Sequence, residues 1–443
     1  MRLSAEKILI LLVFAVAPLT NVKIAEAEPI NFLSVPIVLF ALAIDQHRKI
    51  GLLMPRPLAR LAREWVLFVL SATIITLWLD WRLTFYLPPG ISLVRHPPIL
   101  TLTRTAKLLI DVVAMFVLSS LLAQKPKLVR FAARAYVAVG LVNAIYALVS
   151  CLLCFVGIVH GDYESIWGAY TIQQWWWESV RARGFFSEGG PFGLYMVTVL
   201  IVLLFERYVL RDLPRSIFIA CAAVLVSALL ASRSKAAACS IVVLMMWAAF
   251  RASKFRQVGL AVFVVLLLAV WAIVAGFGED FSDYWTDYEL APELMSLAPQ
   301  NASLVAGRVA AAYVVPNMIA DRPILGIGFG NYPVERNNPV YSWPLPPSPV
   351  WDAGGLGLFD SVAELGVPLF LCLVALVWKP VRMARRQFSP EIVVTLASCQ
   401  FWVLVFGASI TFLYPYLTTA LALGYLNGLR EPTWDRTGAA NSG

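Results

Sequence analysis

Residues 321–332 read DRPILGIGFGNY and belong to a long polar stretch, 278–353, in a chain whose other segments are mostly apolar. A membrane protein can add chemistry only where its backbone leaves the lipid, because unpaired N–H and C=O groups are prohibitive in hydrocarbon. One long loop among short ones is therefore the first place to look for a site. We expect a helix around 303–320 in this loop and an irregular, Pro-rich segment at 339–349.

The composition is typical of a membrane protein. Hydrophobic residues make up 60% of the chain and charged residues 14%, and the mean hydropathy is +0.76. The net charge is +8, but the basic residues cluster in short segments between apolar runs. That distribution indicates membrane topology and needs no polyanionic partner. We therefore expect membrane lipid around the protein and no nucleic acid as a partner.

Apolar runs long enough to cross a bilayer predict an all-α polytopic membrane protein with about twelve transmembrane helices. One large periplasmic loop is expected between helices 9 and 10. The predicted parts are spans 1–9 in 1–277, the loop in 278–353, spans 10–12 in 354–430 and a cytoplasmic tail in 431–443. The runs lie near 8–22, 30–45, 64–79, 99–122, 135–159, 189–205, 216–231, 236–250, 257–277, 355–377, 391–411 and 414–430.

Every second loop is rich in lysine and arginine, which predicts that these loops face the cytoplasm. The alternate loops, 80–98, 161–187 and 278–353, then face outward. The first apolar run ends near Ala25-Glu26-Ala27 and imitates a cleavable signal peptide, and cleavage there would remove the first span without changing the orientation. The basic segments lie at 48–63, 125–134, 207–215, 251–256 and 379–386.

The outward loops 161–187 and 278–353 contain arginine and no lysine. Arginine presents a planar fork that binds phosphate through two hydrogen bonds, whereas lysine acts as a point charge. For Arg322 and Arg336 an ion pair with nearby acids is the favoured interpretation. Arg183 and Arg308 are the stronger candidates for phosphate binding.

Arg104, Lys107 and Asp111 have the spacing i, i+3, i+7 and should share one face of a helix. Ionisable groups inside a membrane face a cavity or each other and are candidates for function. A Lys107–Asp111 pair that only helps to pack the bundle remains an alternative. Arg104 is then expected to be unpaired near the outer interface, where a lipid-linked phosphate could bind. A further cation, Arg233, lies at an outer turn.

Neither a metal site nor a cofactor is expected. The three histidines are scattered along the chain, and all six cysteines lie within apolar runs. Cys151 and Cys154 form a C-x-x-C motif, but no second pair accompanies it. We interpret the cysteines as packing residues and expect no disulfide.

Taken together, several segments resemble the O-antigen ligase and polymerase superfamily of bacterial polysaccharide assembly. Their order along the chain and the late large loop support the resemblance, which covers roughly residues 130–430. The segments are RARGFFSEGG at 181–190, SRSKA at 232–236, Gly307-Arg308 with RPILGIGFG at 322–330, and AELGVP at 363–368.

This resemblance implies a metal-independent glycosyltransferase in the bacterial inner membrane, with its active face in the periplasm. Its donor would be a glycan on undecaprenyl pyrophosphate. Charge builds on the leaving pyrophosphate, and preorganised arginines can stabilise it. Arg308 and Arg183 would hold the pyrophosphate, with Arg233 as a third cation. The further substrate-binding residues would be Arg104, Lys107 and Arg181.

The chain departs from the family at the general base. Ligases of the family carry a His-Asn-type segment shortly before the Glu-Leu-Gly, and residues 350–360 contain no histidine. This favours a polymerase that joins repeat units of an exopolysaccharide, capsule or O-antigen. Asp352 and Glu188 are the candidate bases, although either could instead pair with an arginine.

Besides a scaffold protein of the polysaccharide secretion complex, which would not need arginines on its outer side, two other functions remain open. One is an O-antigen ligase that transfers the glycan to a lipid A core acceptor, and the other is a transporter of the lipid-linked glycan. A transporter would usually show related halves with interrupted helices, and no such repeat is found. A chain-length regulator and a flippase are the protein partners that a polymerase would imply.

Overall fold

The computed structural model shows a mostly helical protein. It describes residues 4–20, 23–24, 28–29, 54–83, 85, 87, 96–158, 169–174, 177–234, 236–242, 308–343, 357–387, 389–406 and 410–429. The helices before the large loop are α1 (Ala5–Val16), α2 (Arg56–Arg82), α3 (Pro97–Gln124), α4 (Lys127–Phe155), α5 (Gly189–Phe205) and α6 (Arg215–Ala231). Within and after it are α7 (Arg308–Asp321), α8 (Tyr332–Glu335), α9 (Pro339–Ser342), α10 (Leu358–Arg386), α11 (Glu391–Val405) and α12 (Leu413–Gly428).

Five of the described helices are long and apolar enough to cross a membrane: α2, α3, α4, α5 with its π-helical extension Glu206–Leu210, and α10. The shorter apolar helices α6 and α11 also coincide with predicted spans. The protein is thus a multi-pass membrane protein. The total of twelve spans stays a prediction, because the runs near 30–45 and 257–277 lie outside the described residues.

The core of the bundle forms around α3 and α12, which pack along each other. Gly424 of α12 allows this approach, because a Cβ there would overlap with the side chain of Leu122. Next to this pair, edge-to-face rings of Tyr136, Tyr195 and Tyr414 join α4, α5 and α12. Ring contacts of this kind add stability beyond that of simple apolar burial.

Ion pairs mark one end of the bundle. Lys125 pairs with Glu6, Arg134 with Glu206, and Lys379 with Glu64. Each pair joins residues at or next to the basic loops or the N-terminus of α1. These loops therefore meet at a common end, as their alternation along the chain predicts.

A β-hairpin corrects the all-α prediction. Strands β3 (Ala169–Gln174) and β4 (Trp177–Ala182) pair antiparallel within the outward loop 161–187, and the short strands β1 (Lys23–Ile24) and β2 (Glu28–Pro29) form a second pair. Tyr170, Thr171 and Ile172 have a high strand propensity. The prediction followed the apolar runs on either side instead. In the large loop, α7 confirms the expected helix, while α9 makes the start of the Pro-rich segment helical.

We predict that Val340 and Arg386 lie on opposite sides of the membrane. Both are exposed, and they belong to the large loop and to a basic segment respectively. In a variant whose six cysteines are replaced by alanine, a membrane-impermeant thiol reagent should label Val340→Cys in intact cells. Arg386→Cys should react only after lysis. The reverse pattern would contradict the orientation.

Candidate functional site

Helix α10 is broken near its beginning. Gly366 has the non-helical angles φ 69° and ψ 163°. In a continuous helix the Val367 N–H would bond to the carbonyl of Ala363. Pro368 has no N–H, so it leaves the carbonyl of Glu364 without a helical donor. The break therefore exposes backbone groups that need partners from elsewhere.

The segment 323–328 supplies those partners through three backbone hydrogen bonds. Two of its N–H groups donate to the freed carbonyls, and one of its carbonyls accepts from the freed amide. The bonds join Ile327 N to Ala363 O (2.9 Å), Gly328 N to Glu364 O (3.0 Å) and Val367 N to Pro323 O (2.8 Å). We call this contact the interlock. It explains why RPILGIGFG and AELGVP occur together, since each completes the hydrogen bonds of the other.

The interlock requires glycine at two positions. Gly326 and Gly366 have φ of +68° and +69°, a region that L-residues with a Cβ rarely adopt. A Cβ at Gly366 would overlap with the carbonyl of Ile324, and a Cβ at Gly326 with the carbonyl of Glu364. A backbone carbonyl cannot move aside as a flexible side chain can.

Polar side chains of α2 and α3 hold the next residues of the loop. The Phe329 N–H donates to Thr76 Oγ1 at 2.8 Å, and Asn331 Nδ2 donates to Asp80 Oδ1 at 2.8 Å. The other Asp80 oxygen accepts from Thr101 Oγ1 at 2.8 Å. Asn331 is fully buried. The segment thus packs against the end of α2 and the beginning of α3.

The prediction that Arg104 is unpaired was wrong. Its side chain packs on Gly330, where a Cβ would lie 2.8 Å from Arg104 Cδ. Its charge interacts with Glu364 of α10. The Glu364 carboxylate is buried and also accepts from Tyr332 N at 3.2 Å. A buried carboxylate requires a nearby cation, and Arg104 is in the position to provide one.

Lys107 and Asp111 interact electrostatically one turn apart, as the packing interpretation expects. Asp111 is buried, at 5% exposure. Its charge also acts on Tyr416 of α12. The pair therefore faces into the bundle.

The segments 181–190 and 232–236 meet at the start of α5. A Cβ on Gly189 would lie 2.8 Å from the Ser232 carbonyl, and one on Gly193 would lie 2.6 Å from Ser234 Cβ. Ser234 Oγ donates to the carbonyl of Gly190 at 3.4 Å. Two segments that are distant in sequence therefore form a single surface.

The candidate residues of this surface differ in exposure. Arg183 is fully buried, and Arg181 is partly buried at the end of β4. Arg233 is exposed with a left-handed φ of 48°, in the turn that follows α6. Glu188 is exposed and directly precedes α5. Arg181, Arg183 and Glu188 thus lie in one short stretch of the chain, and the segment that carries Arg233 packs against its end.

Helix α4 anchors the same turn. The Phe185 N–H donates to Asn143 Oδ1 at 2.9 Å, and the Phe185 ring stacks on Tyr146 at 4.5 Å. Asn143 is fully buried. A buried amide that binds the backbone of a turn fixes its geometry. Asn143 is a polar residue in an apolar run, and this was its one signal in the sequence. It belongs to none of the motif segments and was not predicted.

The first turn of α12 packs against the turn before α5 and against α2. Tyr414 packs on Phe186, with ring centroids 5.9 Å apart. Tyr416 packs on Trp65 of α2 at 5.9 Å. The first turn of α12 therefore joins the turn before α5 to α2.

Further candidates lie in the large loop. Arg308 is the first residue of α7, and its side chain lies outside the described part of the structure. The whole of Asp352 lies outside the described residues. Arg322 pairs with Asp321 at 3.2 Å and donates to Tyr341 Oη at 3.2 Å, which confirms the expected ion pair. Arg336 is fully buried and donates to Asn337 Oδ1 at 3.0 Å.

Burial affects two ionisable groups near α9. It raises the pKa of the Glu335 carboxyl, although a hydrogen bond from Asn338 opposes the increase. It also raises the pKa of the Tyr341 hydroxyl to about 12. Tyr341 therefore stays protonated at neutral pH and can donate to Asp321, at 2.9 Å. These contacts hold α9 against the end of α7. Among the described residues, no three His, Cys, Asp or Glu side chains group as metal ligands would.

A family model matches part of the chain. Residues 218–374 match the family model described as O-antigen ligase, Wzy_C. No curated protein matches the chain. The match covers roughly a third of the sequence and includes the segments at 232–236, 307–330 and 363–368. It confirms the resemblance to the O-antigen ligase and polymerase superfamily, a family of membrane proteins.

We predict that Gly366→Ala destabilises the protein by about 2 kcal/mol or more, because a Cβ is strained at positive φ and would overlap with the Ile324 carbonyl. Gly190→Ala is the matched control, since a Cβ there meets nothing within 4 Å. Thermal unfolding of detergent-purified protein measures both. Equal Tm values for the two variants would contradict the interlock.

Proposed function

We propose that this protein is a polysaccharide polymerase that joins undecaprenyl-pyrophosphate-linked repeat units into an exopolysaccharide, capsule or O-antigen at the periplasmic face of the inner membrane. The family match supports the broader ligase or polymerase type of glycosyl transfer. The observation that carries the proposal is that the segments of the resemblance meet in pairs. The turn at 183–190 contacts 232–234, and 323–328 contacts 363–367.

The reaction needs cations at the leaving group. An acceptor hydroxyl attacks the anomeric carbon of the donor, the bond from that carbon to the pyrophosphate oxygen breaks, and the lipid pyrophosphate leaves with the bonding electrons. Arg183 and Arg308 would stabilise its charge, with Arg233 beside them. A fully buried arginine such as Arg183 is preorganised, because its surroundings leave it little freedom to reorient.

The hydroxyl proton must pass to a base. Glu188 is suitable because it is exposed and lies five residues after Arg183, at the turn that 232–234 contacts. Asp352 is the second candidate and directly precedes the glycines that lead into α10. In either case the carboxylate accepts the proton as the new glycosidic bond forms.

Two observations favour a polymerase over the alternatives. The chain has no histidine after His160, so the His-Asn-type segment of the ligases has no counterpart. Transporters built on interrupted helices direct the broken ends at a substrate cavity. In α10 the freed groups are bound by the loop backbone instead. A flippase and a chain-length regulator would act as separate partners of such a polymerase.

We predict that Arg308→Lys abolishes most polymer synthesis, because a lysine keeps the charge but lacks the fork that binds pyrophosphate. Arg322→Lys is the matched control. Arg322 is already paired with Asp321, and lysine can retain that pair. Polymer length is measured by gel electrophoresis in cells that produce equal amounts of each variant. Similar losses in both variants would overturn the assignment of Arg308.

We also predict that purified protein extends undecaprenyl-pyrophosphate-linked repeat units in EDTA, without nucleotide. In the same assay either Glu188→Gln or Asp352→Asn should abolish turnover while donor binding persists, which identifies the base. A strict requirement for magnesium or manganese would refute the arginine-based mechanism. Movement of the lipid across vesicles with no elongation would favour the transporter.

A further inference from the structure

A basic cavity lies at the end of the bundle opposite the interlock. It is formed by the beginning of α2 and the end of α10 and has a volume of about 330 Å³. It is remote from the proposed glycan chemistry, because Lys379 at the cavity and Glu364 at the interlock occupy opposite ends of α10. The lining residues are Pro57, Arg60, Leu61, Glu64, Lys379, Arg382, Met383 and Arg386.

The charges of the cavity are not balanced. Four lining residues are basic and one is acidic, so three positive charges remain. Glu64 is paired with Lys379. The described residues provide no acidic partner for Arg60, Arg382 or Arg386, all of which are exposed. A cavity of this kind attracts a polyvalent anion such as a phosphate group.

An exposed apolar surface continues from the cavity along both helices. On α2 the face of Arg60 and Glu64 continues with Leu67, Leu70 and Ile74, which are 57%, 53% and 66% exposed. From Glu64 to Ile74 the helix rises about 15 Å, which is half of the ~30 Å hydrocarbon core and so the depth of one leaflet.

Helix α10 presents a matching face. Arg386, Arg382 and Lys379 are followed toward the membrane centre by Ala375 and Leu371, and Leu371 is 59% exposed. The two helices are antiparallel neighbours, joined by Lys379 and Glu64 at this end. Cationic residues therefore lie at the membrane surface, and apolar residues extend from them to acyl-chain depth.

We propose that this cavity binds the phosphate headgroup of an anionic phospholipid, whose acyl chains lie along the exposed apolar faces of α2 and α10. A free phosphate would satisfy the charges but not the apolar faces. A zwitterionic lipid would satisfy the faces but not the excess positive charge. The positive-inside pattern predicts that the site lies in the cytoplasmic leaflet, where anionic lipids attract basic residues.

The test uses full-length protein purified in a mild detergent. Dioleoylphosphatidylglycerol, dioleoylphosphatidylcholine and inorganic phosphate are added separately, and bound lipid is counted by native mass spectrometry while Tm is recorded. Phosphatidylglycerol should remain bound and raise the Tm. The choline lipid with the same chains should do neither. Equal retention of both lipids, or an equal Tm increase from inorganic phosphate, would overturn the proposal.

Variants then locate the site. Arg382→Gln with Arg386→Gln should weaken phosphatidylglycerol binding by about tenfold to thirtyfold, as expected for two cations near a headgroup. Arg63→Gln with Arg215→Gln removes the same charge from exposed residues outside the cavity and should change little. An equal loss of phosphatidylglycerol binding in both double variants would contradict the location of the site in the cavity. If the first double variant does not fold, the single variants Arg60→Gln and Arg63→Gln are used. They compare a residue that lines the cavity with one outside it.

Discussion

Three backbone hydrogen bonds between a broken helix and a loop determine how the rest of the site is arranged. Pro368 and the turn at Gly366 free two carbonyls and an amide of α10, and the segment 323–328 binds all three. In a bundle of membrane-spanning helices, each such group would cost several kcal/mol if left unpaired. The loop therefore cannot leave its position without exposing these groups. This coupling positions Phe329, Asn331 and Tyr332 against α2, α3 and α10.

Alternating glycines allow the loop to contact three helices in succession. Gly326 lies against the Glu364 carbonyl of α10, Gly328 against Thr76 of α2 and Gly330 against the Arg104 stem of α3. A side chain at any of them would separate the loop from the corresponding helix. These glycines allow the loop backbone to pack closely against the helices.

The sequence predicted much of the fold but less of the site, for a definite reason. Apolar runs predicted the helices from α2 to α6 and from α10 to α12, since burial in lipid depends on composition alone. The contacts of Arg104 were mispredicted, because its partner Glu364 lies 260 positions later and no local pattern links them. Asp80 and Asn331 were missed for the same reason. The β3–β4 hairpin was missed because its composition signal is weaker than that of the adjacent spans.

The placement of charge along α2 and α10 follows from what surrounds each end. At the interlock Glu364 interacts with Arg104, and Asp80 accepts hydrogen bonds from Asn331 and Thr101. There, the Glu364 carboxylate is buried and therefore requires a protein partner. At the opposite end the arginines are exposed, and the membrane interface can supply their counter-ions. A buried charge must be matched by the protein itself, whereas an interfacial charge can be left for a ligand, as at Arg60, Arg382 and Arg386 of this helix pair.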